Sequence, residues 1–290
     1  MKKLISLLLP TRARPELVQR FLRSVADRSA HPELIEAILC IDDDDIESHS
    51  IVFREISVKL VVGPRQTMGA YNAICLDHAS GQITIAVNDD IIIRTQGWDE
   101  KVRELDARYP DGVYLGYAND LFKGHKMSTF PILSRQTCRL LAEPYPRIYK
   151  GAFIDTHLMD IFWRLQKRGY DRIAYAEDIV FEHVHYRKKP DAFDTTYSDR
   201  SRFGDDLAFI GLIEARRLEA DRLSAYISGR TPKAIPLPSQ VVTKPAGLFE
   251  IVPRCARKFL FDFDLPVKWR SYLFVWMVAR HYYSRLCRIP

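Results

Sequence analysis

Three groups of residues in this sequence are of types that could, if brought together, bind a cation. Asn88-Asp89-Asp90 follows the apolar run Gln82-Ile83-Thr84-Ile85-Ala86-Val87. Asp42-Asp43-Asp44-Asp45 follows Ala37-Ile38-Leu39-Cys40-Ile41, and His183-Val184-His185 sets two imidazoles two residues apart. Adjacent carboxylates are costly to hold together unless a cation or hydrogen-bond donors neutralise them. On a strand, residues two apart point to one side, so His183 and His185 would face together and Val184 away from them. With Asp90 the two histidines make a plausible donor set for a divalent ion. Carboxylate and phosphate oxygens suit Mg2+ or Mn2+, and imidazole leans the choice towards Mn2+. Each group alone has a plainer explanation: a polar strand end, a helix cap, or a histidine that is simply part of a surface or core.

A general base is a separate question, with Asp155 and Asp160 as the candidates. Leu158, Ile161, Phe162 and Leu165 mark the buried stripe of a helix running from Asp155 to Lys167. At roughly 100° per residue, Asp160 falls almost opposite that stripe and one turn from Arg164, which predicts a solvated surface ion pair. Asp155 sits at the helix start, facing the sheet edge, where it could serve as a base or as a simple N-cap.

These residues are positioned by a regular alternation of strands and helices. Residues 3 to 9 read as a buried strand ending at Pro10-Thr11-Arg12, and Pro15 opens a helix with Leu17, Val18, Phe21, Leu22 and Val25 on one face. Strands follow at Ala37 to Ile41 and at Lys59 to Val62. A helix then runs from Met68 to Ala79, capped by Thr67 and ended by Gly81 at the C′ position. The fourth strand is the run before Asn88. After it come a helix bearing Trp98, Val102, Leu105 and Tyr109, strands over Val113 to Ala118 and Met127 to Leu133, a helix capped by Ser134, and a last strand over Ile179 to Tyr186. This order predicts an α/β fold: a mostly parallel sheet flanked by helices, with right-handed crossovers. In such a sheet the carboxyl ends of the strands converge on one crevice. Thr11-Arg12, Asp42 to Asp45, Asn88 to Asp90 and the segment near Asp155 would meet there.

The chain has 290 residues, enough for a large domain with an appendage, and its 47% hydrophobic and 28% charged residues are ordinary for a folded protein. A net charge of +6 allows a phosphate-bearing partner or an anionic membrane surface. The five cysteines form no CxxC pair, which fits a reducing cytosol better than a disulfide framework. The start Met1-Lys2-Lys3-Leu4 imitates a signal peptide, but its apolar run is short, and Pro10-Thr11-Arg12-Ala13-Arg14-Pro15 follows it without a cleavage site. Residues 1–228 are expected to form the main domain. Residues 229–247, with Pro232, Pro236, Pro238 and Pro245, read as an extended linker. Residues 248–290 are rich in aromatic and basic side chains, which predicts either contact with a membrane surface or lipid-linked acceptor, or a helical piece packed on the main domain.

In order along residues 3 to 200, these motifs resemble a family 2-type glycosyltransferase of the GT-A fold. Leu8-Leu9-Pro10-Thr11-Arg12 resembles the first strand and loop that contact the nucleoside, and Cys40-Ile41-Asp42-Asp43 the acidic strand end that binds the base. Gly69-Ala70-Tyr71-Asn72 resembles the family's Ala-Arg-Asn helix start, with Tyr71 in place of arginine. Asn88-Asp89-Asp90 stands at the DXD position, with Asn88 in place of its first aspartate. Asp155-Thr156-His157-Leu158 resembles the acceptor-activating motif, without the usual Glu-Asp pair, and Glu182-His183-Val184-His185 the metal-binding histidine segment. The resemblance implies an inverting enzyme with Asp155 as the catalytic base. Asp90 with His183 or His185 would bind Mn2+ or Mg2+, and Pro10, Thr11, Arg12, Asp42, Asp43, Ala70, Asn72 and Asp89 would contact the nucleotide. The implied partners are a nucleotide-sugar donor, UDP-linked with guanine and thymine donors left open, and a glycan or lipid-linked acceptor in cell-surface polysaccharide or glycolipid synthesis. Nucleic acid is not among them. The place implied is the cytoplasm, or the cytoplasmic face of the inner membrane. A sugar nucleotidyltransferase would instead need a glycine-rich loop after the first strand, and Thr11-Arg12-Ala13-Arg14 has no glycine. A non-catalytic membrane-associated scaffold would account for residues 248–290 but not for the convergent carboxylates.

Overall fold

The computed structural model describes residues 2–184, 203–232 and 247–286. Its centre is an eight-stranded sheet: β1 (Ile5–Pro10), β2 (Ile35–Asp42), β3 (Ser57–Gly63), β4 (Ile83–Ala86), β5 (Ile91–Ile93), β6 (Leu115–Asn119), β7 (Pro131–Ser134) and β8 (Ile173–His183), in the order β3-β2-β1-β4-β7-β6-β8-β5. β3, β2, β1 and β4 run parallel, β7 is antiparallel to both neighbours, β6 and β8 are parallel, and β5 closes the edge antiparallel to β8. The mostly parallel α/β arrangement expected from the sequence is the one the chain adopts.

β1 is buried on both faces, and its side chains divide by the two-residue period of a strand. Ile5, Leu7 and Leu9 pack with Val18, Phe21, Leu22 and Val25 of helix α1 (Pro15–Arg28). Leu8 packs on the other side with Ala73 and Cys75 of α2 (Met68–His78). Thr67 caps α2 as expected, accepting from the Ala70 amide at 3.1 Å. Gly81 acts differently from the C′ cap predicted: α2 ends at His78 with Ala79 extended, and a Cβ on Gly81 would lie 2.5 Å from Ser6 Oγ. A close approach of strand to strand, rather than a left-handed turn, requires glycine there.

The segment after Asp90 also departs from expectation. It enters strand β5 before helix α3 (Trp98–Ala107), and three residues are too few to show a period. The last strand begins at Ile173, earlier than predicted, because β8 extends along β6 through a register shift at Ala118/Asn119. α4 (Arg135–Leu140) starts at its Ser134 cap, which accepts from the Thr137 amide at 2.9 Å.

The largest departure concerns α5 (Ile154–Lys167). Asp160 and Arg164 do pair, at 2.8 Å, but both are fully buried, so the pair lies in the core and not at the predicted surface. Helices α6 (Asp206–Gly211), α7 (Ile213–Ile227), α8 (Leu248–Cys255) and α9 (Val267–Leu286) supply the cover that a period count on α5 alone leaves out. Ile251, Cys255, Phe259, Leu265, Trp269, Leu273 and Met277 join the same core as Leu158, Phe162 and Leu165. A π-helical turn, Ala256–Leu260, links α8 to the loop before α9. The Pro-rich stretch 233–246 lies outside the described residues. Among the described residues, no helix is long and apolar enough to cross a membrane.

Candidate active site

The loops after β1, β2 and β4 meet through direct hydrogen bonds. Thr11 Oγ1 donates to Asp89 Oδ2 at 2.8 Å and Arg14 Nη1 to Asp89 Oδ1 at 3.0 Å, both in buried surroundings. Arg12 reaches across to the carboxylates of Asp42 and Asp44, and the Ala13 amide donates to Asp45 Oδ2 at 2.7 Å. Ala13 has φ 52, the left-handed turn that lets Arg12 and Arg14 point to different carboxylates. Tyr71 donates its hydroxyl to Asp42 and accepts from the Gln66 amide at 2.8 Å. Burial and the bond to Asp42 raise the phenol above its ordinary value. Asp42 is thus a buried acceptor held between Arg12 and Tyr71, whereas Asp43 is exposed.

Asp89 and Asp90 are adjacent and both buried, but they have different partners. Asp89 is tied to Thr11 and Arg14. Burial raises its pKa and the charge of Asp90 adds to that, with Arg14 opposing. Asp90 turns to the other side, where its Oδ2 lies 3.2 Å from His183 Nε2. The short β5 creates this pairing: Ile91 stands opposite His183 in the antiparallel ladder, and the Val184 amide donates to the Asp90 carbonyl at 2.8 Å. His183 is packed edge-on against Phe130, centroids 5.2 Å apart, and Phe122, 6.1 Å apart. A carboxylate oxygen and an imidazole nitrogen at this separation fit two ligands of one divalent ion. Among the described residues, no cluster of three or more such side chains forms a preassembled metal site. His185, Arg187, Lys188 and Lys189 lie outside the described residues.

Asp120 lies at the end of β6 and was missed in the sequence, although Asn119-Asp120 is another strand end in polar residues. Its Oδ1 accepts from the amides of Phe122, Lys123 and Gly124 at 2.7 to 2.9 Å, and its Oδ2 from Thr129 Oγ1 at 2.9 Å. Its carbonyl accepts from the His183 amide at 3.1 Å. The 120–129 loop so organised runs from His183 to Asp155, whose carbonyl accepts from Ser128 Oγ at 3.4 Å.

Asp155 is not the N-cap of α5. That position belongs to Phe153, with φ 67, and Asp155 lies in the first turn with its Oδ1 bonded to the Thr156 amide at 2.7 Å. Burial holds its carboxyl above the ordinary aspartate range against the Thr156 bonds and the charge of Lys123. A raised carboxylate pKa suits a proton acceptor. The turn that presents it is held by Asp205, a buried residue with no local sequence signature. Its Oδ1 accepts from the Lys150 amide at 2.8 Å, and its Oδ2 from those of Gly151 and Ala152 at 3.0 and 2.8 Å. The same loop is bound to the start of α2, where the Gly69 amide donates to Tyr149 O at 2.9 Å.

Of the predicted residues, Pro10, Thr11, Arg12, Asp42 and Asp89 come together with Asp90 and His183 at the carboxyl edge of the sheet. Ala70 and Asn72 are buried in α2, where Ala70 N–H bonds the Thr67 cap and Asn72 Nδ2 donates to Met68 O at 3.1 Å. Among the described residues, Asp155 is joined to the cluster through the 120–129 loop, and the turn before it through α2.

No family model matches this sequence, and no curated protein matches it. Several solved structures are similar to it. The mannosyltransferase PcManGT from Pyrobaculum calidifontis, in complex with GDP-Man and Mn2+, has 13% identity over 99% of this chain and 88% of its own, with a TM-score of 0.49. Glucosyl-3-phosphoglycerate synthase from Mycobacterium tuberculosis, in complex with Mn2+, UDP and phosphoglyceric acid, has 16% identity over 74% of this chain and 78% of its own, with a TM-score of 0.46. S. aureus TarS has 14% identity over 77% of this chain and a TM-score of 0.44, and this chain spans 50% of TarS.

Proposed function

We propose that this chain is a metal-dependent glycosyltransferase of the GT-A type that moves a sugar from a nucleotide diphosphate to an acceptor hydroxyl. The observation that carries the reading is the buried Asp90–His183 pair, 3.2 Å apart and adjacent to the Thr11–Asp89 and Arg12–Asp42 contacts. Asp90 and His183 would hold the Mn2+ or Mg2+. The ion, when bound, would neutralise charge on the leaving diphosphate. Asp42 is the acceptor for an N–H of the base, with Tyr71 and Arg12 fixing its carboxylate. Asp155 takes the proton of the acceptor hydroxyl as its oxygen bonds to the anomeric carbon and the bond to the nucleotide breaks, which inverts that carbon. The acceptor is a glycan or a lipid-linked saccharide of cell-surface polymer or glycolipid synthesis.

The deciding experiment is a thermal-shift series with UDP, GDP and dTDP, each with and without Mn2+. The reading expects one of them to stabilise the protein only when the metal is present. Indifference to all three would leave a scaffold as the better reading. A nucleotidyltransferase is disfavoured by the loop after β1, whose two arginines, Arg12 and Arg14, are spent on Asp42, Asp44 and Asp89.

A peripheral place at an anionic membrane is the second part of the proposal. Phe249, Phe261 and Phe263 are exposed at 100%, 62% and 70%, beside exposed Arg257 and Lys268. Aromatic side chains favour the headgroup region and cations favour anionic lipid. Replacing Phe249, Phe261 and Phe263 together by Ser should abolish flotation with vesicles containing phosphatidylglycerol. Flotation equal to that of the unchanged protein would remove the membrane from the proposal.

A further inference from the structure

The amino edge of the sheet, opposite the candidate active site, holds a cavity of about 660 Å3. Its walls come from several elements: Lys3 before β1, the 79–82 turn before β4, the 110–112 turn before β6, Arg135, Gln136 and Arg139 of α4, and Tyr226 of α7. The length of β1, six residues or roughly 20 Å, separates it from Thr11 and the proposed metal site. One wall is tightly built. Gly112 has φ 70, and a Cβ there would lie 3.0 Å from that of Gln136, so the turn is pressed onto α4.

The charges around this cavity do not balance. Lys3 is paired with Asp106 at 2.6 Å, and Asp111 with Arg172 at 2.8 Å. Arg135 has only neutral partners: its guanidinium donates to the carbonyls of Gly81, Leu76 and Ala79 at 3.1, 3.3 and 2.6 Å. Those bonds fix the group in place, but they leave its charge unmatched and part of its five N–H donors unused. Arg139 is exposed and has no hydrogen-bond or ion-pair partner among the described residues. Four residues apart on one short helix, the two arginines share a face, where like charges repel.

Two unmatched cations on the wall of one cavity suit a dianion. A phosphate monoester carries about −1.5 to −2 charges at neutral pH, whereas a carboxylate carries a single one. The volume exceeds what a phosphate group fills and lies in the range of small-molecule sites. The remaining polar groups suit hydroxyls. The Gln136 amide and the Tyr226 phenol have no partner among the described residues, and Gln82 uses its Oε1 on the Leu4 amide at 2.8 Å, leaving its NH2 group.

We propose that this cavity binds a phosphorylated polyol of the sugar-phosphate class, with Arg135 and Arg139 on the phosphate and Gln82, Gln136 and Tyr226 on the hydroxyls. The site requires no metal and stands apart from the donor site.

Calorimetry on the full chain tests it in buffer containing EDTA. The probes are glucose 6-phosphate, glucose 1-phosphate, glycerol 3-phosphate, glucose, glucuronate and inorganic phosphate. At least one phosphate ester should bind, and at least 10-fold more tightly than glucose, glucuronate or inorganic phosphate. Arg139→Gln should weaken that binding about 10-fold or more, the worth of one charge-assisted hydrogen bond, with an unchanged melting temperature. Arg135→Gln strips three carbonyls of their donor and can unfold the protein, so Gln136→Trp, which fills the cavity, serves as the second variant and should block binding. Without EDTA, saturating UDP or GDP with Mn2+ should leave the affinity unchanged. No binding of any phosphate ester, undiminished binding in both variants, or displacement by a nucleotide with Mn2+ overturns the site. Inorganic phosphate binding as tightly as the best ester overturns the polyol assignment.

Discussion

As the proposed metal ligand and the proposed base, Asp90 and Asp155 need opposite things from their surroundings. A metal ligand must stay ionised beside its ion, whereas a base must hold a proton well enough to take it from a hydroxyl. Asp90 faces an imidazole in a buried corner, and Asp155 is held above the ordinary aspartate range chiefly by burial. Asp90→Asn keeps the shape and removes the charge, so transfer should fall by roughly 100-fold or more, and the Mn2+-dependent thermal shift should vanish while the ligand-free melting temperature holds. Asp155→Asn should lower kcat by about 100- to 10,000-fold with nucleotide affinity unchanged. The base works when deprotonated, so activity falls as pH drops through its raised pKa. The acidic limb of kcat/KM should therefore lie above the value near 4 of a free aspartate, and that limb should be lost in Asp155→Asn.

At the scale of elements, strand pairing and loop anchoring do the positioning. β5 is only three residues long, yet its register against β8 is what sets Asp90 beside His183. The turn before Asp155 is held by three backbone amides converging on Asp205 and by the close approach of α2. A Cβ on Gly69 would stand 2.0 Å from Pro146 O, so Gly69→Ala must displace the loop that leads to Asp155. Asp205→Asn removes the charge that three amide donors share and turns one of its acceptor positions into a donor. It should cost about 1–3 kcal/mol in chemical denaturation. It should also lower kcat more than donor affinity, because the donor-side loops are anchored elsewhere.

For the molecule as a whole, a buried charge network fastens the C-terminal helices to the domain that carries the site. Asp160 Oδ1 accepts from Arg164 Nε and Arg216 Nε, both at 2.8 Å, and Oδ2 from Trp269 Nε1 at 3.3 Å. Arg164 continues to Asp262 at 2.8 Å and Asp264 at 3.1 Å. Burial opposes ionisation of Asp160, but the charges of Arg164 and Arg216 outweigh it and bring the carboxyl down to about 2. A folded pKa below the unfolded one gives stability that is present above pH ~4 and lost as pH falls towards 2, amounting to about 2 kcal/mol. The acid limb of the stability curve should reflect this loss. Asp160→Ala would leave two arginines buried without their shared partner and should cost about 3–5 kcal/mol, read from denaturant melts. Removing residues 247–290 should give an aggregating protein rather than a soluble core, since it exposes the Phe209 and Leu158 side of the domain and strips Arg164 of Asp262 and Asp264.

The sequence by itself determined the layer order, the parallel half of the sheet, the Thr67 and Ser134 caps, and the strand ends at Thr11, Asp42 and Asp89-Asp90. All of these follow from local pattern: a buried run followed by polar residues states where a strand stops whatever lies around it. Tertiary structure alone decided which of two adjacent aspartates faces His183, because that choice hangs on the pairing of β5 with a strand ninety residues away in sequence. It also decided that Asp160 is buried. The helical period of α5 correctly located one apolar face. Whether the opposite face meets water or protein depends on α7 and α9, which contact it from far along the chain. Asp205 was illegible for the same reason: an aspartate that accepts three amides from a distant loop has no spacing to reveal it. The Asn88-Asp89-Asp90 turn was therefore legible as a place, and its division of labour was set by the fold.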